Sequence, residues 1–66
     1  MNVSINGKLQ NIPKEMDVDQ LLEFLGYQPE AVAVAVNLEF VPRSAYPNRR
    51  LCESDQVEIL SPISGG

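Results

Sequence analysis

The sequence predicts an α+β fold in which a mixed sheet of four to five strands carries one main helix on one face. Three observations lead to that expectation. Alternating apolar residues flank an Asn6-Gly7 pair near the start, a capped apolar stripe at helical spacing begins at Asp17, and apolar alternations recur at residues 31–36 and 56–61. With 66 residues the chain is one domain, and at that size only about 60% of the unfolded surface is buried on folding. A single cysteine, Cys52, and no histidine exclude an internal disulfide and a Cys/His zinc site. The core must therefore be hydrophobic packing alone.

Residues 1–12 read as a hairpin. Met1, Val3 and Ile5 alternate with Asn2, Ser4 and Asn6, and Asn-Gly suits a two-residue turn because both positions need positive φ. Two registers fit: a two-residue loop sets Ile12 on the face of Met1, whereas a three-residue loop with a glycine bulge sets Leu9 beside Val3. Pro13 lacks the N–H that would extend the ladder. Asp17 then opens a helix. Its carboxylate can accept from the backbone three residues on, Gln20 can reach back to complete a capping box, and Met16 can staple onto Leu21. Val18, Leu21, Leu22 and Leu25 share one stripe, Gly26 is a natural C-terminal stop, and Pro29 discourages continuation.

Residues 31–36 spell AVAVAV, an interior strand with Val32, Val34 and Val36 under the helix and Ala31, Ala33 and Ala35 on the opposite face. Small residues on that face leave room for close approach. A second extended piece with Phe40 and Val41 ends at Pro42, and residues 43–50 read as a loop with one short helical turn. The final strand, 56–61, is entered through Glu53, Ser54 and Asp55. If Val57 and Ile59 face the core, Leu60 points outward beside Glu58. Pro62 removes the next ladder donor, so residues 61–66 are expected to form a flexible tail ending in Gly65-Gly66. Glycine contributes no packing and loses the most backbone entropy on ordering, so such an end adds nothing to a core. The terminal carboxylate itself becomes the candidate working group. Six residues at ~3.3 Å each reach about 20 Å, enough to thread that group into a partner's active site.

Nine acidic residues against five basic ones give a net charge of −4. This balance disfavours nucleic acid, whose binding rests on lysine and arginine displacing counterions, and suits a partner with a basic docking surface. Arg49 and Arg50, the one basic doublet, read as solvated side chains. No run approaches the ~20 apolar residues of a membrane span, and a soluble, cytoplasmic protein is expected. Cys52 has no CxxC partner and only Arg50 as a nearby base, which fits a structural thiol. Asp17 and Asp19 are explained as a cap and a first-turn acid. With no nucleophile and base pair, phosphate-cradling loop or metal cluster in the pattern, the chain is not expected to turn over substrate by itself.

Hairpin, helix and three further extended pieces follow the order of the β-grasp or ubiquitin-like fold. The stretches AVAVNLEFVPRSAY and ESDQVEIL and the closing Gly65-Gly66, with VSINGK in the early hairpin, resemble the ThiS-type sulfur carriers of thiamine biosynthesis over nearly the whole chain. Two departures stand out: Leu38 follows the asparagine where glycine is usual, and Glu53-Ser54-Asp55 replaces an Asp-Gly-Asp turn. Because leucine and serine disfavour positive φ, both turns are expected to differ in geometry.

The resemblance implies that an E1-like, ThiF-type adenylyltransferase uses MgATP to join the Gly66 carboxylate to AMP. A sulfur donor such as a cysteine desulfurase then replaces AMP, and the thiocarboxylate delivers sulfur to a ThiG-type thiazole synthase. The carrier binds no cofactor of its own in this scheme. An α-carboxyl ordinarily titrates at about 3.3 to 3.7, so Gly66 is anionic at neutral pH, and a β-carbon at either terminal position would crowd the approach. Leu60 and Ile63 are candidates to seat body and tail on the partner, Ala33 and Ala35 to admit it closely, and Arg43 to steer docking against an acidic surface. Two alternatives remain: a carrier for molybdopterin or another sulfur-containing metabolite, and a non-covalent β-grasp interaction module.

Overall fold

A computed structural model describes residues 1–61. Strands β1 (Asn2–Ile5) and β2 (Lys8–Asn11) form the expected hairpin, and its register is that of the two-residue loop. Asn6 (φ 53°) and Gly7 (φ 86°) both take the left-handed conformation that matches the twist of the flanking strands. Ile5 sits opposite Lys8 and Asn2 opposite Asn11, and the Ile12 N–H donates to the Met1 carbonyl at 2.8 Å. Ile12 is fully buried as a result, while Leu9 lies across from Ser4 on the outer face.

Helix α1 (Val18–Leu25) starts as its sequence dictates. The Gln20 N–H donates to Asp17 Oδ1 at 2.8 Å and the Asp17 N–H donates to Gln20 Oε1 at 3.1 Å, so two otherwise orphan donors are satisfied reciprocally. Gly26 ends it at φ 89°, its N–H donating to the Glu23 carbonyl. Val18, Leu21 and Leu22 are buried, with Leu25 partly so at the edge of the core.

The expected strand over 31–36 is shorter than its apolar run. Pro29–Ala31 form a 3-10 turn closed by the Ala31 N–H on the Gln28 carbonyl, and β3 spans Ala33–Val36. The fixed φ of Pro29 suits the first position of a helical turn, which takes Ala31 out of the ladder and leaves Val32 only partly buried. Strand β4 (Glu39–Val41) returns antiparallel to β3, and the expected short helical turn is a 3-10 segment, Arg43–Asn48, whose Tyr46 is buried. The Tyr46 hydroxyl donates to the Val32 carbonyl at 3.3 Å. Burial pushes this phenol above its ordinary 10.0, against the opposing pull of the nearby Arg43 charge and with a smaller push from Asp19.

Strand β5 (Gln56–Leu60) completes a five-stranded sheet of order β2-β1-β5-β3-β4, parallel to β1 and antiparallel to β3. Inward residues Val3, Ile5, Val34, Val36, Val41, Val57 and Ile59 make one core with the helix stripe, Met16, Tyr46 and Leu51. This is the α+β, ubiquitin-like β-grasp arrangement. Two polar ties hold the start of β5. Asp55, 7% exposed, accepts from the Cys52 N–H at 2.8 Å and from Asn37 Nδ2 at 2.9 Å, and Asn37 Oδ1 accepts from the Gln56 N–H at 2.9 Å.

The two turns that lack the usual glycine keep a glycine-like backbone. Leu38 and Ser54 both lie at φ 70°, contrary to the expectation that their side chains would change the geometry. The Val36–Glu39 pairing leaves only Asn37 and Leu38 to reverse the chain, which requires positive φ at both. The Ser54 N–H is committed to the Asn2 carbonyl at 2.7 Å. Neither side chain is buried, so no packing opposes its removal.

Replacing Leu38 or Ser54 by glycine is therefore expected to stabilise the protein by about 0.5–1 kcal/mol each, read as a rise in the thermal midpoint; a fall would show that these side chains make stabilising contacts. Asp55→Ala is expected to cost about 1–3 kcal/mol in denaturant unfolding, because it removes the acceptor shared by Cys52 and Asn37.

Candidate functional site

Strand pleating decides which residues β5 presents on the outer face of the sheet. Val57 and Ile59 point into the core, so Gln56, Glu58 and Leu60 face outward. Across the ladder Leu60 is opposite Ala33, Glu58 is opposite Ala35, and Ala35 is opposite Phe40. One half of the outer sheet face thereby carries an apolar strip of Leu60, Ala33, Ala35 and Phe40, bordered by the exposed carboxylate of Glu58. Leu60 is 67% exposed and Phe40 71%, with the two half-buried alanines between them as low ground. The other half is polar, with Asn2, Ser4 and Gln56 separating the strip from Leu9 on β2.

The structure thus brings together three of the residues expected to meet a partner: Leu60, Ala33 and Ala35. Arg43 is exposed, and the antiparallel register of β3 and β4 puts it at the end of the sheet where β5 finishes, because it follows Val41, which pairs with Val34. Ile63, Gly65 and Gly66 lie outside the described residues, as does the expected tail beyond Ser61. Phe40 is the residue that sequence reading placed in a strand without assigning it to the site. Its signal was the Phe40-Val41 alternation, which becomes readable only when the register shows that Val41 faces the core.

Cys52 is exposed but precedes β5, at the end of the strand opposite Leu60. Arg49 Nη1 is 3.8 Å from Asp55, and Arg50 pairs with Glu15 at 3.6 Å on the surface. Among the described residues no group of three His, Cys, Asp or Glu side chains could hold a metal ion, and no helix is long and apolar enough to cross a membrane. The arrangement can offer a docking face that runs to the point where the chain leaves the sheet.

Known proteins resemble this chain throughout its length. The crystal structure of the thiamine biosynthesis protein ThiS from Geobacter metallireducens superposes with a TM-score of 0.86 at 33% identity, covering all of both chains. The sulfur carrier protein ThiS of Escherichia coli is 27% identical over all 66 residues and the whole of that protein. A thiazole synthase of Paramagnetospirillum magneticum is 41% identical over the same 66 residues, which are 20% of its own length; this chain thus spans about a fifth of the first curated relatives it matches. The ThiS family model matches residues 3–66, and the chain belongs to the ThiS family.

Proposed function

We propose that this protein is a sulfur carrier of thiamine biosynthesis whose reactive group is the Gly66 carboxylate. The observation that carries the proposal is the family match over residues 3–66, which takes in both the outer strip and the Gly65-Gly66 end. Two further findings support it: full-length similarity to a protein named a sulfur carrier, and the presence of a similar 66-residue stretch within proteins named thiazole synthase. The second makes thiazole synthase the natural recipient of the sulfur.

A carboxylate oxygen of Gly66 attacks the α-phosphorus of MgATP on an E1-like adenylyltransferase, and pyrophosphate leaves. The magnesium and the enzyme offset the meeting of two anions. The acyl adenylate then has a good leaving group, and a persulfide on the sulfur donor attacks its carbonyl carbon, displacing AMP. A second thiol opens the resulting acyl disulfide, releasing a thiocarboxylate on Gly66 and a disulfide on the donor. Thiazole synthase receives the sulfur. The carrier contributes a body that docks and a terminus that reaches; the bonds are made by its partners, so it acts as a co-substrate rather than a catalyst. Leu60, Ala33, Ala35 and Phe40 supply the apolar contact, with Arg43 beside it.

Incubation with ATP, an E1-like adenylyltransferase and a sulfur donor is expected to add the mass of one oxygen-to-sulfur exchange at the C-terminal residue; an unchanged mass defeats the proposal. Deleting Gly66 is expected to abolish that gain while leaving the thermal midpoint unchanged. Leu60→Asp or Phe40→Asp should raise the KM of the carrier in the adenylation assay about tenfold or more, as removal of an apolar interface anchor does, with little loss of stability because both side chains face solvent.

A further inference from the structure

Strand β5 has a backbone neighbour along one flank but only part of the way along the other. β3 accompanies it from Val57 to Leu60. β1 pairs with it at two positions, Ser4 with Gln56 and Ile5 with Val57, and the Asn6 N–H then donates to the Val57 carbonyl at 2.9 Å. There β1 ends and the chain turns away through Asn6 and Gly7. The N–H and C=O of Ile59, on the flank β1 has vacated, would face no backbone. The Asn6 side chain fills that place: its Oδ1 accepts from the Ile59 N–H at 2.8 Å and its Nδ2 donates to the Ile59 carbonyl at 3.2 Å. A primary amide carries its acceptor and donors in one plane, as a peptide group does, so Asn6 stands in for the next peptide of β1.

We propose that Asn6 is a positioning residue for the reactive terminus, clamping the last inward residue of β5 so that the chain leaves the body at Leu60 from a fixed root. The inference rests on the carrier reading above. Of the residue at its first position this turn asks no more than positive φ, which glycine or aspartate would also supply, so the two bonds to Ile59 exceed what the turn requires. Their effect falls one residue before Leu60, where the apolar strip ends. Without them the end of β5 would be held by β3 alone, as an edge strand is. That backbone would then have to be ordered after docking, in the step that brings the carboxylate to the α-phosphate, and each residue ordered there lowers the productive rate by about tenfold. Because the docking strip is untouched, the loss should appear in turnover rather than in KM.

Asn6→Gly keeps a hairpin-competent Gly-Gly turn and removes both bonds; Asn6→Asp keeps the acceptor but sets an oxygen against the Ile59 carbonyl. In Asn6→Gly, amide exchange at Ile59 should quicken about tenfold, the effect of one lost hydrogen bond, while the Ile12 amide of the hairpin keeps its protection. With an E1-like adenylyltransferase that accepts the wild-type protein, kcat for adenylation of Gly66 should fall about tenfold at a KM within about twofold of wild type, with Asn6→Asp intermediate. These rates are to be measured well below the thermal midpoint of each variant. Unchanged Ile59 exchange would show that no clamp exists. Faster exchange with unchanged kcat, or a change confined to KM, would make Asn6 a structural residue only. Failure of the wild-type protein itself to be adenylated would overturn the carrier reading and this role with it, while the exchange data would still report on the clamp.

Discussion

Because β5 is the last of the described strands and central in the sheet, neither half of the structure is complete without it. The β1-β2 and β3-β4 hairpins are local units, and an isolated hairpin is marginal in water. β5 joins them, supplies Val57 and Ile59 to the floor beneath α1, and makes contacts between positions as far apart as Asn6 and Ile59, which are separated by 53 residues. The loop-closure entropy of such pairs must be met before they contribute, so the core forms cooperatively or not at all. On the proposed function the same placement matters again: chain ends ordinarily fray, yet the segment after Leu60 starts from the interior of the sheet.

Polar side chains secure both ends of this strand where backbone ladders run out. At its start Asp55 and Asn37 bind each other and take up the Cys52 and Gln56 amides; near its finish Asn6 takes up Ile59. Among the described residues no buried side-chain nitrogen or oxygen lacks a partner. In so small a core an unpaired polar group would remove a large share of the net stability, so these amides and the carboxylate are as much a part of the fold as the valines.

Local signals in the sequence were sufficient wherever the determining chemistry is local. Asn6-Gly7, the Asp17-Gln20 box and the Gly26 stop each name a backbone conformation that few other residues supply, and each is found where expected. What was not legible depends on distant partners. The hairpin register is open in the sequence because Ile12 and Leu9 are both apolar; the structure buries Ile12 and leaves Leu9 on the outer face. The start of β3 lies later than the apolar run suggests because AVAVAV has no internal punctuation, whereas Pro29 two residues upstream draws Ala31 into a turn. The Leu38 and Ser54 turns differ from expectation for the opposite reason: the Val36–Glu39 pairing around Leu38 and the bond from the Ser54 N–H to the Asn2 carbonyl outweigh the side chain's own preference. Asn6 was legible as a turn residue and illegible as a clamp, since its second role depends on a strand at the other end of the chain.

The pleat separates two kinds of requirement on the same five residues of β5. Inward positions are constrained by packing, where losing a few methylene groups costs about 2–5 kcal/mol; outward positions are free of that constraint and open to the docking proposed above. Ala33 and Ala35 illustrate the second constraint. A β-branched residue would suit a central strand better by propensity, as Val34 and Val36 on the other face show, yet the outer face carries methyl groups beside an exposed leucine and an exposed phenylalanine. Filling those positions would raise the floor between Leu60 and Phe40 and keep a partner's surface away from the sheet. The alternation of valine and alanine along one short strand thus matches two demands at once: the helix needs volume beneath it, and the proposed docking of an enzyme on the outer face needs space.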